Sequence, residues 1–125
     1  MAVESTIGID ISRLADVDLS GSQYRVVVYS ATGCALPSGV TNVPLGILQN
    51  APTAGQVARI RIYGGSKVAA NAAFTAGDAL SIAATSGRVD TAATTHYPVG
   101  RALTAATAQD ELADMIVMPM LVPLA

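Results

Sequence analysis

Residues 44–84 read PLGILQNAPTAGQVARIRIYGGSKVAANAAFTAGDALSIAA, and this stretch decides the fold class. Its central part, residues 57–63, alternates in character along the chain. One face carries Ala58, Ile60 and Ile62, and the other carries Val57, Arg59, Arg61 and Tyr63. Alternation with a period of two is typical of a half-buried antiparallel strand. Gly64-Gly65 then predicts a two-residue hairpin turn, because primed turns need positive φ, and Ser66 to Ala70 is expected to run back.

Similar short segments extend in both directions from this stretch. Residues 23–29, 34–36, 43–49, 79–84, 88–91, 99–105 and 113–122 are each predicted as strands, with turn residues between them. Ser86-Gly87 predicts a second hairpin. Thr104 to Leu112 fits one turn of helix or a loop, and no long amphipathic helix is expected. We therefore predict an all-β fold, a small β-barrel or β-sandwich of short antiparallel strands.

The N-terminal region differs from the rest of the chain. Ile7, Ile9 and Ile11 alternate with Gly8 and Asp10, which indicates an extended segment with one apolar edge. We predict an extended N-terminal arm over residues 1–20 that becomes ordered on a neighbouring molecule, followed by a β-rich domain over residues 21–125. A frayed terminus is the alternative. The segment has neither a basic start nor an apolar core, so no signal peptide is expected.

The composition favours a protein that presents surface to other proteins. Hydrophobic residues make up 51% of the 125 residues, aromatic residues 4% and charged residues 13%. A core of small aliphatic side chains buries little area, and oligomerisation commonly stabilises such a domain. The net charge of −2 and the scattered Lys and Arg argue against nucleic-acid binding. No apolar run approaches the roughly 20 residues of a membrane span.

The sequence offers few side chains for catalysis or metal binding. Cys34 is the only cysteine and His96 the only histidine, and neither has a partner nearby in sequence. A metal site needs further ligands at defined spacing, and a nucleophilic thiol needs an activating group. Asp110, Glu111 and Asp114 lack the spacing of a calcium loop and are interpreted as a solvated face or an acidic patch. We expect no catalysis, no cofactor, no metal and no small-molecule substrate.

Two groups of residues are candidate contact surfaces. Arg59, Arg61 and Lys67 are expected to lie near one another across the Gly64-Gly65 hairpin, as a solvated face or as a basic patch for an acidic protein surface. The last predicted strand is apolar on both faces, with Met115 and Val117 on one and Ile116, Met118 and Met120 on the other. Pro119 favours an edge strand at an interface.

Eight segments occur in an order that resembles a known protein family. They are DLS (18–20), QYRVV (23–27), PLGILQNAP (44–52), AGQ (54–56), GSKV (65–68), AGDAL (76–80), SGR (86–88) and VGRAL (99–103). Over residues 18–120 the chain resembles the capsid cement proteins of tailed bacteriophages, also called head decoration proteins. It departs from the family in the N-terminal arm and in the Pro- and Met-rich C-terminus.

The resemblance implies a structural protein on the outside of the virion. Such a protein binds the assembled capsid, commonly as a homotrimer, and clamps neighbouring subunits of the major capsid protein. It would lie in the host cytoplasm during assembly and on the capsid exterior in the virion. The predicted capsid contacts are Ile7, Ile9, Ile11, Arg59, Arg61 and Lys67. The predicted subunit contacts are Met115, Val117, Met118 and Met120. The alternative is a β-sandwich ligand- or receptor-binding module of a phage tail or cell surface, which would normally expose more aromatic residues than four Tyr and one Phe.

Overall fold

The computed structural model describes residues 8–120 and 122–124 of the chain. The described residues form nine strands, namely β1 (Gly8–Ala15), β2 (Val26–Tyr29), β3 (Gly33–Ala35), β4 (Gly46–Leu48), β5 (Val57–Ala69), β6 (Ala79–Ile82), β7 (Val89–Thr91), β8 (Pro98–Ala102) and β9 (Leu112–Val117). Turns and loops connect them. Within the described ranges there is no helix long and apolar enough to cross a membrane.

Five of the strands close into a barrel. They follow the order β1-β3-β2-β4-β5, and β1 closes the circle by pairing with β5 from Gly8 opposite Gly64 to Leu14 opposite Val57. β1 and β3 are parallel, whereas the other neighbours in the barrel are antiparallel. Closure pairs the edges of these short strands, which would otherwise present open hydrogen-bonding groups.

β5 belongs to both halves of the molecule. Its residues up to Gly64 pair with β1, and residues Gly64 to Ala69 pair with β9. The prediction of a hairpin at Gly64-Gly65 is therefore wrong. A type I′ turn needs positive φ at both central residues, and of this pair only Gly64 has it, with a φ of 105°. Glycine adopts this conformation without a steric penalty, so one strand changes partners here instead of reversing.

The second half of the sheet continues in the order β5-β9-β8-β6-β7. β6 and β7 form the hairpin predicted at Ser86-Gly87, and Gly87 has a φ of 80°. β9 is an interior strand between β5 and β8, so the prediction of an edge strand is wrong. Pro119 lies beyond the end of β9 at Val117, and its missing N–H does not interrupt the ladder.

Two clusters of buried side chains fill the two halves. The barrel cluster is formed by Ala15, Leu19, Val27, Cys34, Leu45, Leu48, Ala58 and Ile60. The second cluster is formed by Val26, Ile47, Val68, Ala70, Phe74, Leu80, Ile82, Val89, Val99, Ala102, Ala106, Ala113, Met115 and Val117. Small aliphatic residues dominate both, as the composition predicts, and Phe74 is the one aromatic side chain among them.

The structure confirms the all-β prediction and decides between its two forms in favour of a barrel with additional strands. The sequence fits either one helical turn or a loop from Thr104 to Leu112. The structure shows a loop with turns and bends over residues 104–111, before β9. Of the predicted arm, Gly8–Ala15 is extended and forms β1, and Ala15 and Leu19 are buried in the barrel cluster. This segment pairs with β3 and β5 of its own chain, and the ordering of the arm on a neighbouring molecule stays a prediction. The predicted boundary at residue 20 stays a prediction.

Candidate functional site

The outward face of the β1–β5 pair combines apolar and charged side chains. Ala58 and Ile60 point into the barrel, and so their neighbours along β5 point outward. Tyr63 lies opposite Ile9 at one end of the pair, and Val57 lies opposite Leu14 at the other. All four outward side chains are exposed, with Ile9 at 58% and Tyr63 at 54%. We call Ile9, Asp10, Leu14, Val57, Arg59, Arg61 and Tyr63 the β1–β5 face.

One carboxylate and two guanidinium groups occupy the middle of this face. The Arg61 Nε donates to Asp10 Oδ1 over 2.7 Å and its Nη2 donates to Oδ2 over 3.2 Å. The Arg59 Nε lies 3.3 Å from the same Oδ2. A shift in strand register between Ile9 and Asp10 accompanies this arrangement, and both side chains lie on the outer face. The cluster therefore carries a surplus of one positive charge on a chain whose net charge is −2.

The remaining predicted capsid contacts lie elsewhere. Ile7 is outside the described residues, and Ile11 packs partly buried against the barrel cluster. Lys67 is opposite Asp114 in the β5–β9 ladder, and its Nζ lies 5.8 Å from the centre of the Tyr24 ring. The expected grouping of Lys67 with Arg59 and Arg61 is wrong. Lys67 lies six positions further along β5 than Arg61, because no hairpin folds one onto the other.

The outward side of β8 and β9 forms an apolar groove. It has a volume of about 540 Å³, and its walls are Ala79, Pro98, Gly100, Arg101, Leu103, Ile116, Met118 and Met120. Met118 is 50% exposed and Met120 is 40% exposed. Gly100 permits the close approach of the two strands, since a Cβ there would lie 1.9 Å from the Ile116 carbonyl oxygen. We call this surface the β8–β9 groove.

The four predicted subunit contacts fall on opposite sides of the sheet. Met118 and Met120 line the β8–β9 groove, and their contact with a second subunit stays a prediction. Met115 and Val117 are fully buried in the second cluster of this same chain. Their prediction as subunit contacts is wrong, because no part of either side chain is left for another molecule. The sequence shows the alternation along this strand but not which of its faces is the inner one.

Cys34 and His96, the two residues considered as a nucleophile and a metal ligand, each lie against other parts of the chain. Cys34 is buried in the barrel cluster, and burial raises the pKa of its thiol. His96 places Nδ1 3.1 Å from the hydroxyl of Ser81, which is itself buried. Among the described residues, no group of three or more His, Cys, Asp or Glu side chains could hold a metal ion.

Asp110 joins two segments of the chain that are distant in sequence. The Arg88 Nε donates to its Oδ1 over 2.6 Å, and the Arg25 Nη2 lies 3.9 Å from the same oxygen. The hydrogen bond from Arg88 holds the pKa of Asp110 below its usual range. Within the acidic group of Asp110, Glu111 and Asp114, Asp110 therefore pairs with basic residues of its own chain.

The comparisons with known proteins agree with this architecture. A family model described as phage cement protein matches residues 20–118, and the chain therefore belongs to the phage cement protein family. The resemblance found in the sequence is confirmed. The fold is also similar to the crystal structure of the head fiber gp8.5 N base in bacteriophage phi29, with a TM-score of 0.67 and 16% sequence identity. That likeness covers 93% of this chain and 99% of the other, and at this identity it shows the fold alone.

The comparison with curated proteins found no match. The family nevertheless defines the class of protein: this chain is a structural protein associated with a phage capsid. The β1–β5 face and the β8–β9 groove are its two candidate contact surfaces.

Proposed function

We propose that the protein binds the outer surface of an assembled phage capsid as a homotrimer and stabilises the mature head. The observation that carries the proposal is the match to the phage cement protein family over residues 20–118, which spans eight of the nine strands, from β2 to β9. The major capsid protein is the partner that this role requires. Binding at many equivalent positions would let modest single contacts reinforce a whole shell.

Two separate exposed surfaces support an assembly with two kinds of contact. In a cyclic trimer each subunit contacts its two neighbours through two different surfaces, and the β8–β9 groove would be one of these two. The β8–β9 groove, with Met118 and Met120, is the apolar surface suited to a subunit contact. The β1–β5 face leaves a second surface for the capsid.

The proposal is tested with phage heads that lack the protein. Purified protein is added to such heads, the heads are sedimented, and the bound copies are counted. We expect saturable binding, and we expect loaded heads to release their DNA at a higher temperature than bare heads. Absence of binding to mature heads, or binding that leaves the release temperature unchanged, would contradict the proposal.

The trimer is tested separately by sedimentation velocity. Met118→Asp places a charge in the β8–β9 groove, and it is expected to shift the protein towards monomer because an unpaired charge is costly in an apolar contact. Ala93→Asp adds the same charge at an exposed loop position outside the groove and is the matched control. Equal oligomeric states for both variants would show that the groove is not the subunit contact.

A further inference from the structure

We infer that the β1–β5 face docks the protein and that it recognises a carboxylate set among apolar groups on the partner's protein surface. This inference rests on the proposed capsid binding and adds the chemistry of the partner. The face has a charged centre and two apolar ends, and each part would bind a different kind of group on the partner.

The charged centre has one guanidinium with capacity to bind a further anion. Asp10 already accepts two hydrogen bonds from Arg61, and Arg59 only shares Oδ2 through its Nε. The Arg59 side chain is 57% exposed, so its Nη nitrogens can reach a partner. A guanidinium binds a carboxylate through two parallel hydrogen bonds, which gives both attraction and orientation. Asp10 contacts only the Nε side of the Arg59 guanidinium, at 3.3 Å from Oδ2.

The apolar ends favour a protein surface over a nucleic acid. Ile9 with Tyr63, and Leu14 with Val57, form exposed apolar pairs on either side of the charged centre. A protein interface typically surrounds a few polar contacts with apolar and aromatic area. A phosphate backbone would instead need several exposed cations together, and a single surplus charge provides weak attraction. The complement is therefore an acidic side chain flanked by apolar residues.

The test compares wild-type protein with Arg59→Gln on two kinds of phage heads. One batch of heads is untreated, and in the other the exposed carboxylates are converted to amides with carbodiimide and glycinamide. On untreated heads we expect Arg59→Gln to bind about tenfold more weakly than wild type and with less dependence on salt. On amidated heads we expect wild type to bind as weakly as Arg59→Gln does, and the variant to be unaffected by the treatment.

Ala93→Asp is the matched control, because it lowers the net charge by one, as Arg59→Gln does, at an exposed loop position outside both the β1–β5 face and the β8–β9 groove. It is expected to bind both batches of heads as wild type does. Thermal unfolding of each variant verifies that the fold is intact. Equal binding by wild type and Arg59→Gln on untreated heads would overturn the inference and leave the proposed capsid binding standing.

Two further outcomes overturn the inference in other ways. Equal weakening of Arg59→Gln and Ala93→Asp would mean that net charge, and not this face, decides binding. Tight binding of wild type to double-stranded DNA that is lost in Arg59→Gln would mean that the face recognises phosphate. If wild type fails to bind untreated heads at all, the proposed function itself fails, and that result differs from the others.

Discussion

Met115 and Met118 have the same side chain and lie three residues apart, but the structure gives them opposite roles. Met115 is fully buried in the second cluster, whereas Met118 is 50% exposed in the β8–β9 groove. Replacing a buried Met by Ala typically lowers the free energy of unfolding by about 2–5 kcal/mol. The unfolding entropy is about 2.1 cal/mol/K per residue, or roughly 0.26 kcal/mol/K for 125 residues, so Met115→Ala should lower Tm by about 8–19 °C.

The matched variant Met118→Ala should change the free energy of unfolding by less than about 0.5 kcal/mol, or Tm by about 2 °C. Met115→Leu nearly conserves the buried volume and should retain most of the stability. Tm is measured by circular dichroism at several protein concentrations, because self-association makes Tm depend on concentration. Equal Tm values for Met115→Ala and Met118→Ala at low concentration would refute the assignment of the inner face of β9.

Two further predictions concern a close strand contact and a charged link. Gly100→Ala should lower the free energy of unfolding by about 1–3 kcal/mol, because its Cβ would clash with the Ile116 backbone. Gly21→Ala is the control and should be tolerated, because a Cβ at Gly21 meets nothing within 4 Å. Equal midpoints of the two variants in chemical denaturation would contradict this prediction. The pKa of Asp110 is lowered in the folded state, so its stabilisation is present above about pH 4 and is lost as the pH falls through the folded pKa. Asp110→Asn should therefore lose less stability than wild type as the pH falls from about 5 to about 2. Parallel curves of Tm against pH for the two proteins would argue against this prediction.

Local sequence patterns determined the fold class and most strand positions. The alternation over residues 57–63 is a local property, because successive side chains of any strand point to opposite faces. The structure agrees in detail, with Ala58 and Ile60 buried and Val57, Arg59 and Tyr63 exposed. The Ser86-Gly87 hairpin is also local, since the turn and both of its strands lie within thirteen residues, 79–91. The ordered segments that resemble phage cement proteins likewise needed only the sequence.

The candidate surfaces depended on pairings between distant parts of the chain. No local pattern places Asp10 beside Arg59 and Arg61, because about fifty residues separate them and only the β1–β5 register brings them together. Leu14 opposite Val57 was missed for the same reason.

What the sequence by itself determined about this protein is therefore its all-β class, its alternating faces and its resemblance to a family of capsid proteins. Only the tertiary structure decided whether the chain reverses at Gly64 or continues there as one strand, and which face of β9 enters the core. The physical reason is that alternation with a period of two shows that a strand has two different faces but does not show which of them is buried. The burial of one of them is a free-energy balance over the whole fold, in which every strand that packs against it takes part.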